Sequence, residues 1–91
     1  MEEIIIFYDV TDDNLRLEVS ELLKDFGLER IQKSAFHGFI KDEKLVELQA
    51  KLEKIIKTDL VHIIKICHRC RKRIVEIGFA ITPKKRDIYV F

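Results

Sequence analysis

No apolar run in this sequence is more than a few residues long, so no segment is suited to span a membrane. Its three glycines, Gly27, Gly38 and Gly78, stand far apart, which excludes a Gly-rich phosphate loop. No G-x-S-x-G and no workable Ser/His/Asp set occurs, so a serine-nucleophile hydrolase is not indicated. Glu2 and Glu3 stand where a signal peptide would carry positive charge, which points to a cytoplasmic protein. The two cysteines form one C-x-x-C, Cys67-His68-Arg69-Cys70, without the second ligand pair that tetrahedral zinc normally takes and without the βαβ context of a thioredoxin-type redox site. In that compartment they read as reduced thiols.

The chain that remains is soluble in composition, at 47% hydrophobic and 36% charged residues, and its 91 residues make a single domain spanning 1–91. The net charge of +1 conceals a gradient. Residues 1–30 carry 9 acids and 3 bases, whereas residues 61–91 carry 2 acids and 8 bases. A basic last third suits contact with a polyanion; solvated loops and strand edges are the plainer explanation.

Glu3 to Asp9 reads as a first strand, buried on both faces, built on Ile4-Ile5-Ile6-Phe7. Asp12 or Asp13 caps a following helix, whose apolar face is Leu15, Val19, Leu22, Leu23 and Phe26, and Gly27 ends it. Leu28 to Ile31 and Ala35 to Ile40 read as short strands, with Gly38 as a bulge or a point of close approach. Asp42 or Glu43 starts a second helix with Leu45, Leu48, Leu52, Ile55 and Ile56 as its buried stripe. Val61 to Cys67 and Ile74 to Ile81 read as strands, Pro83 and Lys84-Lys85-Arg86 interrupt, and Ile88 to Phe91 reads as a terminal strand. The order predicts an α+β, ferredoxin-like β-α-β-β-α-β sandwich with extra C-terminal strands. Both helices then cover one sheet face, and a homodimer is the simplest cover for the other. The C-x-x-C is also misplaced for a copper chaperone of this plan, whose first strand–helix loop carries it; here that loop is Thr11-Asp12-Asp13-Asn14.

Asp9 is the leading candidate for chemistry, because a strand that delivers a carboxylate to its own tip beside a helix start can present a metal ligand. Mg²⁺ or Mn²⁺ takes one or two carboxylates and completes its shell with water and phosphate. One Asp per chain is few, and a twofold axis supplies a second. The structural alternative is a strand-end acid that binds the loop. Tyr8 points to the opposite sheet face from Asp9, toward a dimer interface or nucleic acid. Arg16 and Arg30 are surface cations or phosphate clamps. Phe36 and Phe39 read as core ahead of base-stacking platforms.

The segments Ile6-Phe7-Tyr8-Asp9-Val10-Thr11-Asp12-Asp13, Arg16, Gly27-Leu28-Glu29-Arg30-Ile31-Gln32-Lys33-Ser34-Ala35-Phe36-His37-Gly38 and the stretch from Val75 to Gly78 together resemble the Cas-two family of CRISPR-associated proteins. The resemblance covers essentially the whole chain. It implies a ferredoxin-like homodimer whose C-terminal strands extend the partner's sheet. It also implies a Mg²⁺-dependent (or Mn²⁺-dependent) endonuclease acting on single-stranded RNA or double-stranded DNA in spacer acquisition. Asp9 would be the catalytic metal ligand, with Tyr8, Arg16, Arg30 and Phe36 at positions linked to activity. Where some members carry a basic residue two positions after that arginine, this chain has Glu18. The alternative that the resemblance carries is a non-catalytic, DNA-binding adaptor that bridges the CRISPR integrase, the Cas-one protein.

Overall fold

The computed structural model describes residues 1–78. Its elements are β1 (Glu2–Asp9), α1 (Asp13–Asp25), β2 (Glu29–Gln32), β3 (Ala35–Ile40), α2 (Asp42–Ile55), β4 (Leu60–Ile66) and a one-turn α3 (His68–Arg71). The four strands form one sheet in the order β2-β3-β1-β4, with every neighbouring pair antiparallel. This is the expected ferredoxin-like order of elements, and β1 lies inside it, paired on both sides.

Local chemistry sets the boundaries. Asp12 has extended backbone angles, and its carboxylate accepts the Leu15 N–H at 2.9 Å, so it rather than Asp13 is the cap of α1. Asp13 in the first turn and Lys24 in the last complement the helix dipole. The helix ends where Gly27 takes a φ of +86° and the Leu28 N–H returns to the Leu23 carbonyl at 3.1 Å, which only a residue without a side chain does freely. Helix α2 begins at Asp42 behind an extended Lys41 that makes no side-chain cap bond.

The core lies between the helices and one sheet face. Ile4, Ile6 and Tyr8 of β1 meet Phe36 and Ile40 of β3, Val19 and Leu23 of α1, and Leu45, Leu48 and Leu52 of α2. The alternate residues of β1 behave differently: Phe7 is 41% exposed and Asp9 is exposed, while Glu3 is buried. Strand β1 is therefore not buried on both faces as the sequence suggested, because both long helices pack on the same side. Leu15, Leu22, Phe26, Ile55 and Ile56 are only partly buried at the rim of the helix layer.

Three further expectations change. Strand β2 is shifted by one residue to Glu29–Gln32, and the irregularity in its ladder lies between Arg30 and Gln32, not at Gly38. Gly38 is instead the close-approach point. Strand β4 stops at Ile66, because Cys67 leaves the ladder to cap α3, a turn too short to register as a periodicity. Ile74 to Gly78 is not in a strand, since an apolar alternation forms one only against a neighbouring edge. The remainder of that stretch, Pro83, the Lys84-Lys85-Arg86 run and the terminal Ile88–Phe91 strand lie outside the described residues.

A Cβ added at Gly38 would stand 2.6 Å from Leu28 Cδ2 and 3.2 Å from Leu28 Cα. The backbone contact cannot be relieved by a side-chain rotation. Gly38→Ala should therefore destabilise the protein by about 1–3 kcal/mol, read from urea unfolding midpoints. An unchanged midpoint would mean that β3 and Leu28 separate without cost.

Candidate nucleic-acid and metal site

Asp9 closes β1 opposite Leu60 of β4 and is exposed. Its acidic neighbours are engaged: Asp12 caps α1 and Asp13 pairs with Arg16 within the first turn of the helix. Among the described residues the Asp9 carboxylate has no hydrogen-bond or ion-pair partner. It is a hard oxygen donor held at a rigid strand end. Among the described residues no three His, Cys, Asp or Glu side chains come close enough to hold a metal together. The donor set fits Mg²⁺ or Mn²⁺ only as one carboxylate of a site completed by water, phosphate and a second chain.

Tyr8, one residue earlier, faces the helices. Its ring is buried, 6.2 Å from the Phe36 ring. The position between dimer and nucleic acid expected for it is thus occupied by the protein's own core. Phe36 is fully buried as well, and the Arg30 guanidinium lies 4.9 Å above its ring centre. Arg30, Phe36 and Ile6 are register partners across β2, β3 and β1, so the stack follows from strand alignment. Phe39, by contrast, projects on the other sheet face and is 37% exposed, because it is out of phase with Phe36 by an odd number of residues.

What the stack does is fix a turn. Arg30 Nη1 donates to the Lys33 carbonyl at 2.5 Å, and the Tyr8 hydroxyl reaches the same carbonyl at 3.4 Å. The Tyr8 backbone N–H donates to the Ser34 carbonyl at 3.0 Å. The Lys33–Ser34 turn is thereby clamped to the end of β1 that carries Asp9. Sequence reading passed over Lys33 and Ser34, because the groups that bind there are main-chain carbonyls. Arg16 is brought to neither partner set; it is half-exposed and tied to Asp13.

The open sheet face holds a second feature that sequence reading missed. His37 Nε2 and Glu3 Oε2 are 2.7 Å apart and both side chains are buried. Arg71 of α3 approaches the other Glu3 oxygen at 3.1 Å and covers the Phe39 ring at 5.6 Å. The signal was available: Glu3 pairs with Phe39 and Ile5 with His37, so simple alternation puts all four on one face. Around this polar pair Phe7, Phe39, Leu60 and Ile64 are exposed, and neither long helix nor any strand among the described residues covers this face.

Among the described residues, a four-stranded antiparallel sheet with two long helices on one face and an unpartnered carboxylate at the tip of a central strand defines a small ferredoxin-like protein. Residues 1–74 match the family model described as CRISPR associated protein Cas2. The chain is 40% identical over 78 residues to the CRISPR-associated endoribonuclease Cas2 of Korarchaeum cryptofilum, covering 84% of each protein. It superimposes with a TM-score of 0.77 on a hypothetical protein of Thermus thermophilus at 23% identity, covering 89% of this chain and 95% of that one. It also resembles a chain in a partial Cas6-RT-Cas1–Cas2 complex, at a TM-score of 0.71 and 25% identity, covering 85% and 91%. The chain belongs to the CRISPR-associated Cas2 family.

If Tyr8 and Phe36 act by holding the turn, their rings matter more than the hydroxyl. Tyr8→Phe should cost under about 1 kcal/mol, given the long hydroxyl contact, and Phe36→Ala about 3–5 kcal/mol. Thermal unfolding of both variants measures the difference. A Tyr8→Phe variant as unstable as Phe36→Ala would contradict this division.

Proposed function

We propose that this protein is a metal-dependent endonuclease of the CRISPR spacer-acquisition apparatus, acting as a homodimer on RNA or DNA. The observation that carries the proposal is Asp9: an exposed carboxylate without a partner among the described residues, at a strand end, in a chain whose relative in Korarchaeum cryptofilum is named an endoribonuclease. Three acids stand within five positions there, and Asp12 and Asp13 are committed to the helix. Asp9 is the one left to bind something outside the chain.

Each residue has a distinct task in this reading. Asp9 of each protomer would contribute one carboxylate to a site shared across the twofold axis, where Mg²⁺ or Mn²⁺, when bound, would supply water activation and charge neutralisation at a phosphodiester. Arg30 and the Tyr8 and Phe36 rings hold the Lys33–Ser34 turn beside that site. Lys33 is exposed on the turn and offers a cation to the nucleic-acid backbone. Arg16, at the start of α1, offers another through the guanidinium N–H groups that its pair with Asp13 leaves over.

The dimer reading is supported by the sheet face that neither long helix nor any strand among the described residues covers. Phe7, Phe39, Leu60 and Ile64 are large apolar side chains exposed on the side away from the helices, with Ile5 partly buried among them. A second copy laid on this face buries them and brings two copies of β1 near each other. Phe7→Lys should convert the dimer to a folded monomer, read by light scattering together with circular dichroism. A folded dimer in that variant would place the interface elsewhere.

A second reading is favoured by a separate observation. Residues 65–73 carry no acid, and beside Arg71, which is held by Glu3, they carry Lys65, Arg69, Lys72 and Arg73. That is a phosphate-binding stretch suited to a non-catalytic adaptor that holds duplex DNA beside the integrase, the Cas1 protein. The similarity to a chain in a Cas1–Cas2 complex supports this partner. A paired assay separates the two readings. Asp9→Asn should reduce Mg²⁺-dependent cleavage by more than about 100-fold, the scale on which losing transition-state charge stabilisation acts. It should leave salt-sensitive duplex binding intact. Cleavage at the wild-type rate in Asp9→Asn would remove the aspartate from the chemistry; duplex binding by a wild type that cuts nothing would favour the adaptor.

A further inference from the structure

Cys67 and Cys70 are both exposed, and the turn that joins them has a defined asymmetry. Cys67 is the residue at which β4 hands over to α3, and its sulfur accepts the Cys70 backbone N–H at 3.2 Å. Among the described residues no third His, Cys, Asp or Glu joins them in a ligand set. The pair is therefore short of donors for a closed tetrahedral metal site, and its geometry suits two-electron sulfur chemistry instead.

We propose that Cys67 and Cys70 are a redox-active dithiol that exchanges with small organic disulfides, Cys67 attacking and Cys70 resolving. The proposal rests on residues that the nuclease reading does not use. The hydrogen bond from the Cys70 thiol, followed by that from its backbone N–H, lowers the Cys67 pKa below that of an ordinary thiol. Cys70 moves the other way, because its thiol proton is held by Cys67 and its own charge would face that of Cys67. A first cysteine that deprotonates more readily than its partner one turn away is the order of reactivity that exchange requires. The cations flanking the pair, Lys65, Arg69, Arg71, Lys72 and Arg73, favour an anionic disulfide such as oxidised glutathione as the co-reactant.

The Cys67 thiolate attacks one sulfur of R–S–S–R, a Cys67–S–S–R bond forms, and one R–S⁻ leaves. Cys70 releases its proton to solvent and attacks the Cys67 sulfur. The Cys67–Cys70 bond forms and the second R–S⁻ leaves. Two protein thiols are oxidised and one external disulfide is reduced to two thiols. Arg71 is next to Cys70 and approaches Glu3, so the state of the pair is adjacent to the polar cluster of the open sheet face.

The test uses the full-length reduced protein, oxidised glutathione and peptide mapping by mass spectrometry. The wild type should form an intrachain Cys67–Cys70 disulfide. Cys70→Ser should stop at a glutathione adduct on Cys67, and Cys67→Ser should react roughly tenfold more slowly than wild type. In the reduced wild type, alkylation by iodoacetamide should be faster at Cys67 than at Cys70 and should persist to lower pH there, since the first pKa is lowered and the second raised. Equal alkylation rates at the two positions, a disulfide that only links separate chains, or stoichiometric zinc that protects both thiols would each overturn the proposal. None of these outcomes bears on Asp9, so nuclease activity stands or falls separately.

Discussion

The two-residue period of β1, locked by neighbours on both sides, is the constraint on which the rest depends. Ile4, Ile6 and Tyr8 enter the core, while Phe7 and Asp9 face outward. Antiparallel pairing with β3 and with β4 fixes this phase twice over. A slip of one residue would bury Asp9 and expose Tyr8, taking an unpaired carboxylate into the core at a cost of several kcal/mol. The same alternation that builds the core thus decides which side chain is available for chemistry. Placement of the acid needs no special loop, because it follows from being the ninth residue of a chain whose even positions are inside.

The open face obeys a different economy. Glu3 and His37 place a polar pair beneath apolar side chains, and Arg71 attaches the one-turn helix to it. A buried pair of this kind adds little stability over a hydrophobic replacement, whereas removal of one partner costs about 3–5 kcal/mol. Its effect here is to tie three pieces remote in sequence, β1, β3 and α3, to a single arrangement. A face that is apolar but contains a directional polar contact can accept a partner in fewer orientations than a uniformly greasy one.

Much of this was legible beforehand. The helix faces Leu15/Val19/Leu23 and Leu45/Leu48/Leu52 and the strands at Ile4 and Ala35 come directly from periodicity, and the order of elements then limits the fold. Asp9 could be singled out because a strand must end and a carboxylate stood at that end. The failures have physical causes. Helix α3 is one turn long and has no period to read. The alternation around Val75 is real, but strand formation is a property of two segments and not one. Tyr8 and Arg30 suggested ligand contacts because they are polar and aromatic; their partner is the Lys33 carbonyl, and main-chain acceptors leave no trace in a sequence. Glu3 read only as terminal charge because its significance lies across the sheet in His37.

The irregularity in β2 fixes the length of this part of the chain. Arg30 opposes Phe36 and Gln32 opposes Ala35, so Ile31 has no counterpart on β3. Beyond that surplus residue the inward–outward parity of the strand is reset. A homologue that drops or gains one position between Glu29 and Ala35 would have to rotate either the guanidinium off its aromatic ring or the carbonyl of Lys33 away from both of its donors. Insertions and deletions should therefore accumulate elsewhere in this family, and the hairpin should keep a constant residue count even where its side chains drift.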